Sequence, residues 1–366
     1  VKAATKIEPH EMTATLLSFL FVFVLMTAYF ILRPVRDALS SDWTDEQLSW
    51  LWTSTFLFSL IAVSIYGAVI SRVRFGIIVP SVYTFFAATF IVFYVAGSTL
   101  GDNDRVNRAY YVWLSVFSLY HLSVFWTFMS GLYNKGQAKR LFSIIAMGAS
   151  AGAIVGPSIP TFFADNIGTL NLLLIAAFLL LIPIPLIWKL EQLRGSQLGN
   201  EDVSADLSGD QKLAGNPFSG FSNFVSNPYL LGIGVFIILY TGIVSFVYYE
   251  QKNLMAEYDR ETRTMIYGYR DTLVNTLNNV LAFFFTGRLV IMVGMPVALA
   301  IVPAVLVFGM LVLAFSPVLL VAVGMHVVAK AGNYGVTRPE REVLFTLVGR
   351  EDRFKTKPVI DIVAYR

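Results

Sequence analysis

Cysteine is absent from the 366 residues, which excludes disulfides and thiolate metal sites. Charge is scarce: 14% of the residues are Asp, Glu, Lys or Arg, against about a quarter in a typical soluble domain, so an ordinary water-soluble enzyme is excluded. No G-x-x-x-x-G-K-[ST] loop occurs, which removes a P-loop ATPase as the energy source. His10, His121 and His326 are far apart, and neither H-E-x-x-H nor a nucleophile elbow is present, so no residues support an enzyme. What fills the chain is apolar: 56% hydrophobic residues, 30 Phe and 17 Tyr, with a mean hydropathy of +0.66.

That material is arranged in charge-free runs over 12–32, 47–71, 75–101, 109–134, 141–164 and 166–188. Each is long enough to cross a bilayer, which takes about 20 helical residues. The chain therefore reads as an all-α polytopic membrane protein. Residues 191–227 are rich in Gly, Ser, Asn and Asp and read as a polar linker, with an interfacial turn around 218–224. Beyond it come apolar runs at 228–249, 272–287 and 289–329, the last divided at Ser316-Pro317 into helices near 294–314 and 317–336. Ten spans are expected, in an N-terminal six-helix half (1–190), a cytoplasmic linker (191–227), the first four helices of a second half (228–337) and a charged cytoplasmic segment (338–366).

Loop charges orient this stack. Arg72, Arg74, Lys135, Lys139, Arg140, Lys189, Arg194, Lys212, Arg288 and the cluster from Arg338 onward fall on one side, whereas Asp42, Asp45, Glu46, Asp102, Asp104 and Asp165 fall on the other. The positive-inside rule then places both ends in the cytoplasm, with Arg105, Arg108, Lys252, Arg260 and Arg263 as exceptions. The net charge of +3 is accounted for by these loops and gives no indication of nucleic-acid binding.

A constant offset of 216 superposes Phe30 on Phe246, Arg36 on Lys252, Arg72 on Arg288 and Pro80 on Pro296. Helix ends and loops align at the same offset, the pattern of two homologous six-helix halves. Twelve spans are then expected in the fold, and this chain stops where an eleventh would start.

Chemistry is concentrated at the outer end of the first span, Arg33-Pro34-Val35-Arg36-Asp37. Arg33 and Asp37 are four apart and can pair on one face, which leaves Arg36 without a local partner. Two readings of Arg36 stand: it snorkels to the headgroups, or with Lys252 it clamps an anion in a central cavity. The run 272–287 spans only about 24 Å at 1.5 Å per residue, so its helix must extend back through Asp271 and Arg270. Asn275, Asn278 and Asn279 follow, as cavity lining or as interhelical glue. Glu250 ends the seventh span after Tyr240, Tyr248 and Tyr249 and is a candidate partner of Lys252 or Arg270, a proton exchanger, or a headgroup-level carboxylate. Gly148, Gly152 and Gly156 form a small-residue face that reads as a tightly packed hinge or sliding surface between the halves. His326, Lys330 and Asn333 share one face of the tenth span.

The run from Tyr29 to Leu39 resembles the first helix of the ATP/ADP carrier family of plastids and obligate intracellular bacteria. Ala138-Lys139-Arg140-Leu141-Phe142 with Gly148-Ala149-Ser150, and Arg338-Pro339-Glu340-Arg341-Glu342 with Arg350-Glu351-Asp352 and Lys355, are similar to two further stretches of that family. Two departures stand out: Arg36 where the exchangers have lysine, and Gln137 where they have glutamate. The resemblance implies a major-facilitator-like two-half bundle in a bacterial inner membrane, acting as a monomer without cofactor and exchanging nucleotides or a related phosphorylated anion. Arg36, Lys252 and Arg270 would then neutralise the substrate, Tyr29, Tyr248 or Tyr249 would stack a base, and Asn275 and Asn279 would line the path. Arg33, Asp37, Glu250 and Asp271 would supply ion pairs or coupling. Proton-coupled uptake of another organic anion and a non-transporting scaffold or sensor are the alternatives.

Overall fold

A computed structural model describes residues 7–70, 75–196, 198 and 226–344. Arg72, Arg74, Lys212, the stretch 218–224 and residues 345–366 lie outside them. Among the described residues the secondary structure is helical throughout: α1 Met12–Leu39, α2 Asp45–Ile70, α3 Phe75–Leu100, α4 Asp104–Leu132, α5 Lys135–Ile167, α6 Asn171–Leu181, α7 Pro183–Ser196, α8 Pro228–Met255, α9 Arg260–Val280, α10 Thr286–Val293, α11 Met295–Phe315, α12 Leu319–Gly332 and α13 Arg338–Leu344. In lipid this is the expected solution, since a helix satisfies its own backbone groups. Two π-helical turns, Leu281–Phe285 and Asn333–Thr337, interrupt the second half of the sequence.

Eight helices among the described residues are long and apolar enough to cross a membrane, rather than ten. The other two expected spans are α2, whose side chains are described only through residue 62, and α9. In α9 the charges of Arg260, Glu261, Arg263, Arg270 and Asp271 lower the apolar character of the helix. Other expectations are met closely. Ser316-Pro317 separates α11 from α12, and α9 runs back well beyond Asp271.

Two compact units form. One contains the described residues up to 198 together with Tyr258–Thr272, and the other contains 226–257 and 273–344. In the first, α1 and α4 run antiparallel along a ladder of side chains. Ser18 meets Tyr133 at 3.0 Å, Phe21 packs edge-on to Phe125 at 5.0 Å, and Tyr110 donates to the carbonyl of Leu32 at 3.1 Å. On its other side α1 meets the glycine face of α5. A Cβ on Gly148 would stand 2.5 Å from the Phe19 carbonyl oxygen, one on Gly152 would strike the Phe23 carbonyl, and one on Gly156 would stand 2.8 Å from that of Thr27. The small-residue face thus joins two helices of the same unit instead of serving as a surface between halves. Close backbone approach is what such residues provide where lipid removes the hydrophobic drive between helices.

Local signals start the helices. Asn134 accepts from the Gln137 N–H at 2.9 Å while the Gln137 side chain accepts from the Asn134 N–H at 3.2 Å, a capping box that begins α5. Asn227 caps α8 just before Pro228. In the second unit, Tyr240 on α8 donates to the Ala329 carbonyl on α12 at 2.5 Å, above an apolar cluster of Val244, Val302 and Leu306. The two π turns abut, since a Cβ on Gly335 would lie 2.8 Å from the Leu281 Cβ.

Candidate functional site

The last turns of α1 carry Arg33, Arg36 and Asp37 into the first unit, and α9 brings Arg270 and Asp271 to the same place. Arg36 donates to Asp37 Oδ1 through Nε at 3.0 Å and Nη2 at 2.6 Å, and through Nη1 to Ser115 at 3.4 Å, with its guanidinium 5.3 Å from the Tyr111 ring centre. Arg270 donates through Nη2 to Asp37 Oδ2 at 2.6 Å and to Asp271 Oδ1 at 2.8 Å, and lies 4.5 Å from the Tyr267 ring centre. Arg33 stands 3.4 Å from Asp271 Oδ2. The i, i+4 pairing of Arg33 with Asp37 is therefore not what forms. The Asp37 carboxylate is filled by Arg36 and Arg270, and Asp271 supplies the partner for Arg33 that α1 alone lacks.

Burial makes this cluster costly unless it is fully paired. Asp37 and Asp271 are each 1% exposed and Arg270 is fully enclosed, whereas the Arg36 side chain keeps 15% of its surface. Among the described residues, the ion pairs of this cluster join three guanidinium groups to two carboxylates, an excess of one positive charge. Arg270 Nη1 is buried and has no hydrogen-bond partner. Pro34 sits inside α1 between the two arginines, where it deprives the Phe30 carbonyl of its helical donor.

Outside the cluster, three of the arginines that broke the loop-charge pattern, Arg108, Arg260 and Arg263, are held by the acidic loops. Arg260 meets Asp42 at 3.0 Å and Asp102 at 2.7 Å, Arg263 also pairs with Asp42, and Arg108 pairs with Asp104 at 2.7 Å. The hydrogen bond from Arg260 holds the Asp102 carboxyl below its ordinary range, against the opposing effect of burial. Glu261 accepts from Thr169 at 3.0 Å.

The remaining expected site residues are distributed between the units. Tyr29, two turns before Arg36, stacks on His121 with ring centres 4.4 Å apart and planes at 23°. In the second unit Lys252 is buried, its ammonium 5.9 Å from the Tyr249 ring centre, and Tyr248 lies 6.0 Å from the His326 ring. Asn275 and Asn279 are half-buried on α9. Glu250 is half-buried and makes no ion pair among the described residues, while Arg270 is committed to the two aspartates instead. Sequence reasoning passed over His121, Ser115, Tyr111 and Tyr267. Only His121 left a signal, as an imidazole in the middle of an apolar run.

Helices of this length and apolarity, in a two-unit all-helical chain with a buried ionic cluster, match the family model of the Major Facilitator Superfamily over residues 14–339. The chain belongs to the Major Facilitator Superfamily. Among solved structures it is similar to a bacterial homolog to the human lysosomal transporter Spinster, in an inward-facing and unoccupied conformation. The TM-score is 0.53 at 15% identity, over 98% of this chain and 80% of that one, a likeness of fold alone. No curated protein matches.

These findings correct the resemblance to ATP/ADP carriers, since the match is to the general superfamily. The two departures already pointed that way, and Gln137 has a local explanation as half of the α5 capping box. As a Major Facilitator Superfamily chain the protein is an integral membrane transporter that takes a small-molecule substrate.

Proposed function

We propose that the protein is a secondary transporter moving a small anion that carries a phosphate or carboxylate group, by alternating access. The observation that supports this most is the excess positive charge of the cluster formed by Arg33, Arg36, Arg270, Asp37 and Asp271. A buried net charge is tolerated where a mobile counter-ion completes it, and ionisable groups within spans default to function. Arg33 and Arg36 are the two arginines of the cluster that retain accessible surface, and Arg36 is the one of them that pairs with Asp37. An incoming oxyanion competes with Asp37 for the Arg36 fork, which leaves Asp37 to Arg270 and strengthens the link between α1 and α9. Arg33, Asp37 and Asp271 serve as the switching ion pairs, and Tyr29 borders the path. In the second unit Lys252 is the candidate cation, with Tyr248, Tyr249, Glu250, Asn275 and Asn279 as its polar and aromatic surroundings. Lys139, Arg140, Lys189 and Arg194 support a cytoplasmic N-terminus in a bacterial inner membrane.

The test is uptake into proteoliposomes of a labelled panel: inorganic phosphate, glucose 6-phosphate, ATP, ADP, succinate and lactate, with a neutral sugar as control. Uptake of one or more anions and not of the sugar is expected. Arg36→Gln should weaken binding of the transported anion by about 2–5 kcal/mol, the range for truncating one partner of a buried charge pair. Arg36→Lys should cost less, since charge survives and the planar fork does not. Wild-type uptake and wild-type thermal stabilisation by the same anion in Arg36→Gln would overturn the assignment.

A further inference from the structure

Beneath the ionic cluster, on the same α1/α4 interface, lies a second polar feature with no role in the ion pairs. His121 is 5% exposed in the middle of α4 and stacks on Tyr29 of α1. Its Nδ1 is 3.3 Å from the Phe117 carbonyl oxygen one turn back. A carbonyl only accepts, so that contact places the proton on Nδ1 and leaves Nε2 with its lone pair free. Nε2 is buried and has no hydrogen-bond partner. The bland role of a core histidine, with both nitrogens satisfied, does not describe this geometry.

The groups around the imidazole leave it uncommitted. From α1 it meets Tyr29, and from α3 Tyr83, whose hydroxyl donates to the His121 backbone carbonyl at 2.9 Å. Along α4 it touches Phe117, with Tyr120 adjacent in sequence. Among the described residues His121 forms no ion pair, and its ring contacts are Tyr29 and Phe117. The charges closest along α1 are Arg33, Arg36 and Asp37, with Tyr29 seven residues before Arg36, a displacement of about 10 Å at the helical rise.

We infer that His121 is the proton-carrying group of the transport cycle, its open Nε2 taking a proton from water when the α1/α4 interface is wetted from one side and returning it to water on the other. The proton adds to the lone pair, so the neutral imidazole becomes an imidazolium with both nitrogens protonated, and no other bond changes. A second cation then lies about one helical turn from Arg33 and two from Arg36, both in a cluster already in positive excess, so proton and anion favour each other's binding and travel together. This rests on the anion-transport reading for its substrate, but not for its first measurement.

That first measurement needs no substrate. With three histidines in the chain, the full-length protein labelled with 15N-histidine in lipid nanodiscs gives three imidazoles, and His121→Gln assigns one of them. The expected result is an Nδ1–H tautomer at pH 8 that converts reversibly towards imidazolium as the pH is lowered to 4. An Nε2–H tautomer, or a signal unchanged down to pH 4, overturns the inference whatever the substrate proves to be. The second measurement uses the most rapidly transported anion of the panel and entrapped pyranine. Wild-type protein should acidify the lumen on anion addition, and His121→Gln should abolish acidification while preserving counterflow of the labelled anion. Acidification by His121→Gln at the wild-type rate overturns the inference. Failure of every panel member to enter overturns the anion reading and leaves the imidazole measurement decisive.

Discussion

Arg270 reaches Asp37 across 233 residues of sequence at 2.6 Å, and the same carboxylate takes Arg36 on its other oxygen. One side chain of α1 is thus the meeting point of two guanidinium groups from different parts of the chain.

Removing either partner of that pair strands a buried charge. Asp37→Asn and Arg270→Gln should each lower unfolding stability by about 3–5 kcal/mol, the usual cost of breaking a buried ion pair from one side. The double variant should lose less than the sum of the two, because the Asp37–Arg270 contact is lost only once. Thermal unfolding in one detergent, run on all four proteins, gives the coupling, and simple additivity would show that Asp37 and Arg270 do not depend on each other.

The α1/α5 contact predicts a steric threshold. Gly152→Ala places a methyl group against the Phe23 carbonyl, and Gly152→Val adds two more carbons at the same point. Overpacking of this kind costs about 1–3 kcal/mol for the smaller change, with more for the larger. Gly131, whose Cβ would meet nothing within 4 Å, is the control, and Gly131→Ala should leave the melting temperature unchanged.

Glu340 supplies a pH dependence of definite sign. Both its carboxylate oxygens are buried without partners, and burial raises its pKa from an ordinary carboxylate value to about 7. The folded state therefore holds this proton more tightly than the unfolded chain does, and stability falls as pH rises from the unfolded value near 4.5 to about 7. Glu340→Gln removes the penalty. It should unfold later than wild type at pH 8, by on the order of 1–3 kcal/mol, and equal wild type at pH 5. A constant difference between the two variants from pH 5 to pH 8 would exclude this origin.

At the outer loops, Arg260 serves Asp42 and Asp102 together. These groups are partly exposed, so Arg260→Ala should cost no more than about 1 kcal/mol, a loss that shrinks in high salt. The depressed Asp102 carboxyl gives its contribution above its unfolded pKa and loses it as pH falls through the folded value. Acid should therefore erase the difference between wild type and Arg260→Ala, which a melting series from pH 7 to pH 3 checks.

Much of the helical plan was legible because lipid imposes length and apolarity on every span. The Ser316-Pro317 break and the backward extension of α9 through Arg270 followed from those two constraints alone. The pairing of Arg33 was not legible. Asp37 is correctly spaced on the same helix, and nothing in the sequence says that Asp271 arrives from α9 while Arg36 takes Asp37 from the adjacent position. The glycine face of α5 announced close packing but not its partner, because small residues specify a distance and carry no address. For His121 the residue type was visible, yet an open nitrogen is a property of its surroundings and depends on where Phe117 and Tyr29 fall.

The π turns at Leu281–Phe285 and Asn333–Thr337 have a bearing on any helical-wheel reading of the second unit. Each accommodates one residue beyond the regular winding, and one residue is worth about 100° of rotation in a helix of 3.6 residues per turn. A stripe projected from α12 into α13, or from α9 into α10, therefore emerges on another side of the rod. Charges that a straight extrapolation would assign to solvent can turn inward, as Glu340 and Arg341 do. Deleting one residue from either turn should rotate everything downstream in a single step, as turning a key does, without lengthening or unwinding the helix before it.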